Sequence, residues 1–290
     1  MANKILLHLL VLAAFLALVH SAGISKGKLR FKVSGRNLPD KDTGLGTTDG
    51  YFQLYVSTDG GRTKTKLTKS DTINDQENPN WGNVFEFEFD RSKNQYWFFE
   101  VLDDDTLAED DTVGRVWVNV ANYVDKGQIT TAKLDKEKGY LIIQSVDKPV
   151  QIDASTPVGQ LPMPAGTKDV DTIRFKVSAS GLPTKDDVGF VPGKSDPYVI
   201  ITATDGISGK EREVGRSSTV SSSSSPNWGD VFQFQWDRKK DQRFKLKIWD
   251  EDTLGDEKLG LGWMEVNDFV AQGSYTLLLP KKGTITLTKA

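Results

Sequence analysis

Cysteine is absent from the 290 residues, and histidine occurs only at His8 and His20. The first absence excludes disulfides, a thiol nucleophile and thiolate-held zinc or iron–sulfur clusters. Both histidines fall in the apolar N-terminal stretch. A chain without that stretch has no imidazole for a general base, a Ser-His-Asp triad or a His-ligated metal. A basic excess is lacking too: 37 Lys and Arg against 40 Asp and Glu leave a net charge of −3. No nucleic-acid partner is expected, because phosphate binding needs a net basic face. No Asn-x-Ser/Thr sequon occurs, so no N-glycosylation is expected. What remains for chemistry is carboxylate, hydroxyl, lysine and arginine, and calcium is the metal that such oxygen donors suit.

Long apolar runs are also scarce. The longest extends from Ile5 to Val19, interrupted by His8, preceded by Lys4 and closed by the small residues Ser21 and Ala22. That order is the one of a secretory signal, and the run falls short of the ~20 residues that span a bilayer. Residues 1–22 are therefore expected to be a signal peptide cleaved after Ser21 or Ala22, with a retained anchor as the alternative. The expected location is secreted and extracellular.

The rest of the chain repeats. Leu29-Arg30-Phe31-Lys32-Val33-Ser34 returns as Ile173-Arg174-Phe175-Lys176-Val177-Ser178, and Asn80-Trp81-Gly82-Asn83-Val84-Phe85 as Asn227-Trp228-Gly229-Asp230-Val231-Phe232. The spacing grows from 144 to 147 between these pairs, which places three extra residues in an early loop of the second copy. A period of that size means a duplicated domain rather than a solenoid. The boundaries read as domain 1 at 25–146, a proline-bearing linker at 147–170 and domain 2 at 171–290. Apolar alternation marks about eight short strands per copy, from 28–34 to 139–146 and from 172–178 to 283–289. A helix is expected only near 118–124. The predicted fold class is all-β: two eight-stranded antiparallel Greek-key β-sandwiches in tandem.

Acidic residues gather in two loops of each copy. The first copy offers Asp42 and Asp49, then Asp103, Asp105 and Asp111; the second offers Asp186 and Asp196, then Asp250, Asp252 and Glu257 or Asp256. The Asp-x-Asp spacing at a strand end turns two carboxylates to one side. At ~5 Å and an effective dielectric of ~20, each like-charge pair costs about 3 kcal/mol, which a cation would relieve. An EF-hand does not account for these loops, because Leu107 and Ala108 stand where an oxygen ligand and glycine are needed and the flanks are strands.

The joint pattern Leu182-Pro183, Asp186, Ser195-Asp196-Pro197-Tyr198, Pro226-Asn227-Trp228 and Trp249-Asp250-Glu251-Asp252 resembles a C2 domain. The first copy matches with Leu38-Pro39, Asp42, Asp49-Gly50-Tyr51, Pro79-Asn80-Trp81 and Asp103-Asp104-Asp105. The resemblance implies loops at one end of an eight-stranded sandwich that bind calcium ions and dock on phospholipid. It assigns the acids above as ligands, and the single strand before the first acidic loop resembles the permuted order of phospholipase C-type members. It departs at Gly50, where proline is usual, and in the shorter third loop of copy two. Loop-tip residues Leu45 and Leu107, and Val188, Phe190, Val191 and Leu254, are candidates for membrane contact. Lys64, Lys66 and Lys69 line one strand as a basic face, and Ser221–Ser225 form a spacer in the middle loop.

The expected function is a secreted calcium-binding protein whose two modules attach to anionic phospholipid or another anionic surface. The alternative is a calcium-stiffened structural, adhesive or matrix protein without lipid binding. No enzyme is expected, since no nucleophile–base pair stands out. Oligomeric state is open.

Overall fold

Strands with one apolar and one polar face bury the apolar face against a second sheet, and this sequence does so twice. The computed structural model describes residues 24–41, 47–105, 109–136, 138–148, 159–184, 187–188, 191–192, 195–253 and 255–290. For 187–188 and 191–192 only the backbone is described. The expected signal peptide, residues 149–158 of the linker, and Asp42, Leu45, Leu107, Asp186, Phe190 and Leu254 lie outside the described residues, as do the side chains of Val188 and Val191.

The first module runs β1 (Lys26–Arg36), β2 (Gly50–Ser57), β3 (Thr65–Lys69), β4 (Phe85–Asp90), β5 (Tyr96–Asp103), β6 (Asp111–Asn119), α1 (Val120–Asp125), β7 (Ile129–Lys133) and β8 (Tyr140–Ser145). Its sheets have the orders β4-β1-β8-β7 and β3-β2-β5-β6. In β4, Phe85, Phe87 and Phe89 are buried while Glu86 and Glu88 are exposed. Those rings meet Phe31, Phe52 and Trp97 from the other strands, with Phe31 and Trp97 centroids 4.4 Å apart. Burial of such aromatic area is the main force holding the sheets together.

The second module repeats this with β9 (Val170–Ser180), β12 (Pro197–Asp205), β13 (Arg212–Arg216), β14 (Asn227–Asp237), β15 (Gln242–Asp250), β16 (Glu257–Glu265), α2 (Val266–Gln272), β17 (Ser274–Leu278) and β18 (Thr284–Lys289). The sheet orders, β14-β9-β18-β17 and β13-β12-β15-β16, correspond strand for strand to the first module. In the long loop of this module β10 (Asp187–Val188) pairs antiparallel with β11 (Val191–Pro192).

Two features differ from the sequence reading. Besides α1, whose Asn119 side chain accepts from the Asn122 N–H, a second helix α2 forms at the same place in the second module. Val266, Phe269 and Val270 give it a buried face at helical spacing, and Asn267 and Asp268 are buried as well. The C-terminal part of the expected linker is also packed rather than free. Leu161 is buried, Met163 lies against the second core, and a Cβ at Gly159 would sit 1.9 Å from the Lys126 carbonyl oxygen.

Candidate functional site

Strand register assembles the acidic ends. In the first module Gly50 pairs with Asp103, and Asp103 with Asp111. In the second, Pro197 pairs with Asp250, and Asp250 with Glu257. Asp49 and Asp196, each one residue before its strand, therefore stand beside Asp103 and Asp250. Their backbone N–H groups donate to Asp103 Oδ1 and Asp250 Oδ1, both at 2.6 Å. In return the Asp49 and Asp196 carbonyls accept from the Asp104 and Glu251 N–H groups, both at 3.0 Å. The middle loop joins from the third side: Asp75 N–H donates to Asp49 Oδ1 at 2.8 Å, and Ser222 N–H to Asp196 Oδ1 at 2.6 Å. Asp75 and Ser222 both have positive φ, 53° and 55°, so two unlike sequences make the same turn.

Asp103 and Asp250 are 1% and 0% exposed. Such burial of a carboxylate is costly unless its oxygens are satisfied. In Asp250, Oδ1 has the Asp196 amide, whereas Oδ2 is buried with no hydrogen-bond partner among the described residues. Asp252, exposed at the next ligand position, has its carboxyl raised above the usual range. Loss of hydration is the larger cause, followed by the negative fields of Asp250, Glu257, Asp256 and Asp196. A cation would relieve both conditions.

The third loop contains a residue pair that the sequence reading undervalued. Tyr51 OH donates to Asp110, and Tyr198 OH to Asp256 Oδ2 at 2.6 Å. The same carboxylates accept from the Asp105 and Asp252 N–H groups at 3.3 and 3.2 Å. Burial and then the Asp110 contact push the Tyr51 phenol up to about 12, while the Tyr198 hydroxyl holds Asp256 below the usual carboxylate range. Thus Asp110 and Asp256, each next to an expected ligand position (Asp111 and Glu257), are held by a tyrosine and brace the third loop. The signal was present in sequence: a tyrosine follows Asp49 and Asp196 by two residues in both copies.

Two further motifs acquire roles here. Trp81 Nε1–H donates to the Gly50 carbonyl and Trp228 Nε1–H to the Pro197 carbonyl, each at 3.0 Å. These buried indoles tie the Pro-Asn-Trp loops to the strand starts beside Asp49 and Asp196. On the basic face, Lys64 Nζ lies 3.6 Å from the Phe98 ring centroid and Lys69 Nζ 5.3 Å from that of Tyr51. Lys66 is exposed.

The oxygen-only donor set fits a hard divalent cation, and the buried Asp250 Oδ2 is the position that most needs one. Among the described residues no group of three or more acids is close enough to hold an ion, and Asp42 and Asp186 fall outside them. Asp49, Asp103, Asp105 and Asp111 are gathered at one end of the first module, and Asp196, Asp250, Asp252 and Glu257 at one end of the second.

Sequence reasoning gave no hint of the seam between the modules. Lys126, 4% exposed, reaches Glu265 at 2.8 Å and Asp268 at 2.9 Å. Arg243 donates to Thr131 Oγ1 at 2.8 Å, and Lys133 Nζ sits 5.2 Å from the Trp263 ring centroid. Lys126 and Glu265 are 139 residues apart, so no local pattern links them.

The comparisons agree with this architecture. The family model described as C2 domain matches residues 27–135 and again 173–280. Synaptotagmin-4 of Arabidopsis thaliana is 24% identical over 288 residues, covering 86% of this chain and 48% of the relative. Extended synaptotagmin-2-A of Xenopus laevis is 28% identical over 151 residues, covering 50% of this chain and 16% of the relative. This chain thus spans about half or less of the length of these relatives. Among solved structures, the calcium-bound C2A and C2B domains of extended synaptotagmin 2 align over 92% of this chain and 97% of theirs, at 18% identity and a TM-score of 0.33. Two family matches covering most of the chain, each on one sandwich, establish that it belongs to the C2 domain family and carries two such domains in tandem.

Proposed function

We propose that both modules bind calcium at their acidic ends and, through it, attach the protein to anionic phospholipid on the extracellular side of a membrane. The observation that carries this reading is Asp250: a buried carboxylate with one oxygen used by the Asp196 N–H and the other without a hydrogen-bond partner among the described residues. A bound cation would supply the missing positive charge. Asp49, Asp103 and Asp105, and Asp196, Asp250 and Asp252, would be drawn together around it, with Asp110 and Asp256 bracing the third loop. Calcium would offset the like charge there and present a cationic end to phosphate headgroups. Extracellular sites of ~10⁻⁴–10⁻³ M affinity would remain largely filled, and two linked modules would gain avidity on one surface. The apolar stretch Ile5–Val19 supports export, and the absence of a nucleophile–base pair supports a binding rather than a catalytic role.

Calorimetric titration with calcium, together with co-sedimentation on phosphatidylserine vesicles with calcium or chelator, tests the proposal. Asp105→Asn and Asp252→Asn should each abolish the heat of one module only. Wild-type protein that gives no calcium heat removes the reading. Protein that binds calcium and gains thermal stability yet stays in the supernatant supports the structural or matrix role instead.

A further inference from the structure

The two modules enclose a pair of equivalent clefts, one on each side of their seam, and these differ sharply in charge. One, of about 430 Å³, lies between the acidic end of the first module and the Ile207–Glu211 turn of the second; Asp40, Glu77 and Glu211 line it together with Lys133 and Lys138. The other, of about 390 Å³, lies between the matching Gly60–Lys64 turn of the first module and the β17–β18 turn of the second. Its charged lining is Arg62, Lys64, Lys281 and Lys282, with no carboxylate. A smaller hollow beside it adds Lys136 and Lys258, with Asp135 as its one acid. On a chain of net charge −3 this is a concentrated patch of the opposite sign.

Both turns are fixed in place. Asp59 accepts from the Arg62 and Thr63 N–H groups and from the Thr63 hydroxyl, so its charge serves the turn. Gly61, at φ 85°, lies so close to the second module that a Cβ would stand 2.2 Å from Leu278 Cδ1. Opposite, the Leu279 N–H donates to the Gly283 carbonyl, and Gly283 is packed against the Gly181 and Ser180 carbonyls. Arg62 and Lys282 form no ion pair within 4.0 Å among the described residues, Lys281 acts on the neighbouring Asp135 carboxylate through its field, and Lys64 rests on the Phe98 ring. Trp117 supplies an apolar wall.

Four cations on rigid turns around a cleft of this volume suit a small, multiply charged anion, since guanidinium and ammonium groups bind phosphate most strongly when several converge. We propose that this inter-module cleft binds a polyphosphorylated small molecule of the inositol phosphate class, either free or as a lipid headgroup. The site needs no calcium and is separate from the acidic ends. It shares Lys64 with the basic strand face but does not include Lys66 or Lys69, and it exists only while the modules are docked.

The test is titration of the full chain with inositol 1,4,5-trisphosphate in chelator, alongside flotation on phosphatidylcholine vesicles with and without phosphatidylinositol 4,5-bisphosphate. Wild-type protein should give salt-sensitive binding, and Lys281→Ala/Lys282→Ala should weaken it by at least ~10-fold, two charge-assisted contacts being lost. Lys66→Ala/Lys69→Ala should change it by less than ~2-fold. Binding of the soluble anion without flotation identifies a free ligand, and both together identify a headgroup. No heat and no flotation in chelator overturns the proposal, as does an equal loss in the two double variants. The calcium titration of the acidic ends is unaffected by either result, so the two readings fail separately.

Discussion

Lys126 is the side chain whose removal should matter most at the seam. It lies within 2.9 Å of both Glu265 and Asp268, and Arg243 approaches Glu265 at 3.6 Å, so Lys126, Arg243, Glu265 and Asp268 form a buried quartet, with the partly exposed Asp241 3.2 Å from Arg243 at its edge. The four side chains are between 4% and 8% exposed. Lys126→Ala leaves Glu265 and Asp268 facing each other with Arg243 alone. At ~5 Å and an effective dielectric of ~20 their repulsion is about 3 kcal/mol, in line with the about 3–5 kcal/mol lost when one partner of a buried ion pair is deleted. Because the lost contacts lie between modules, the penalty should appear as undocking. Small-angle scattering should show a larger radius of gyration, proteolysis should become faster in the linker, and the seam-coupled melting should fall by roughly 10 °C. The triple variant Lys126→Met/Glu265→Gln/Asp268→Asn, which removes the charges together, should recover most of the loss. An unchanged radius and melting temperature in Lys126→Ala would refute the reasoning.

The same seam predicts a pH dependence. Burial raises the Asp268 carboxyl to about 6, against the attraction of Lys126, and Glu265 adds to the rise. A carboxyl whose folded value lies above its unfolded one binds its proton more tightly when folded. Its contribution to stability is therefore complete below pH ~4 and disappears as the pH rises through about 6. Wild-type melting minus that of Asp268→Asn should fall over this window, and parallel curves would contradict it. At the acidic end of the second module, Asp252 is likewise raised, so Asp252→Asn should melt higher than wild type in chelator and lower in saturating calcium; no crossover would count against a mutually repelling cluster. Gly159→Ala, whose new Cβ meets the Lys126 carbonyl oxygen, should cost about 1–3 kcal/mol and loosen the packed end of the linker, seen as faster amide exchange there.

The duplication, the strand alternation and the acidic loops were legible because each is written in local or periodic order. Phe85, Phe87 and Phe89 fix which face of β4 is buried before any partner is known. The helix α2 was not, because Asn267 is polar yet buried against Trp236 and Arg238 of its own module and Asp268 is polar yet buried against Lys126 of the other, and a hydrophobic pattern registers neither contact. The tyrosine contacts beneath the third loop were not legible for a related reason. Whether Asp110 or Asp111 is held depends on the reach of Tyr51 across the sheet, and not on spacing within the loop.

Composition and repetition by themselves determined that this chain is two β-sandwiches with oxygen-rich loops, since the absence of cysteine and the scarcity of imidazole restrict the chemistry and period-two patterning restricts the fold. Tertiary structure alone decided how the halves meet. Lys126 finds Glu265 and Asp268 across 139 and 142 residues, and Arg62 comes to share a cleft with Lys281 and Lys282. Such contacts depend on the complementary shape and charge of two finished surfaces, which exist only after each module has folded.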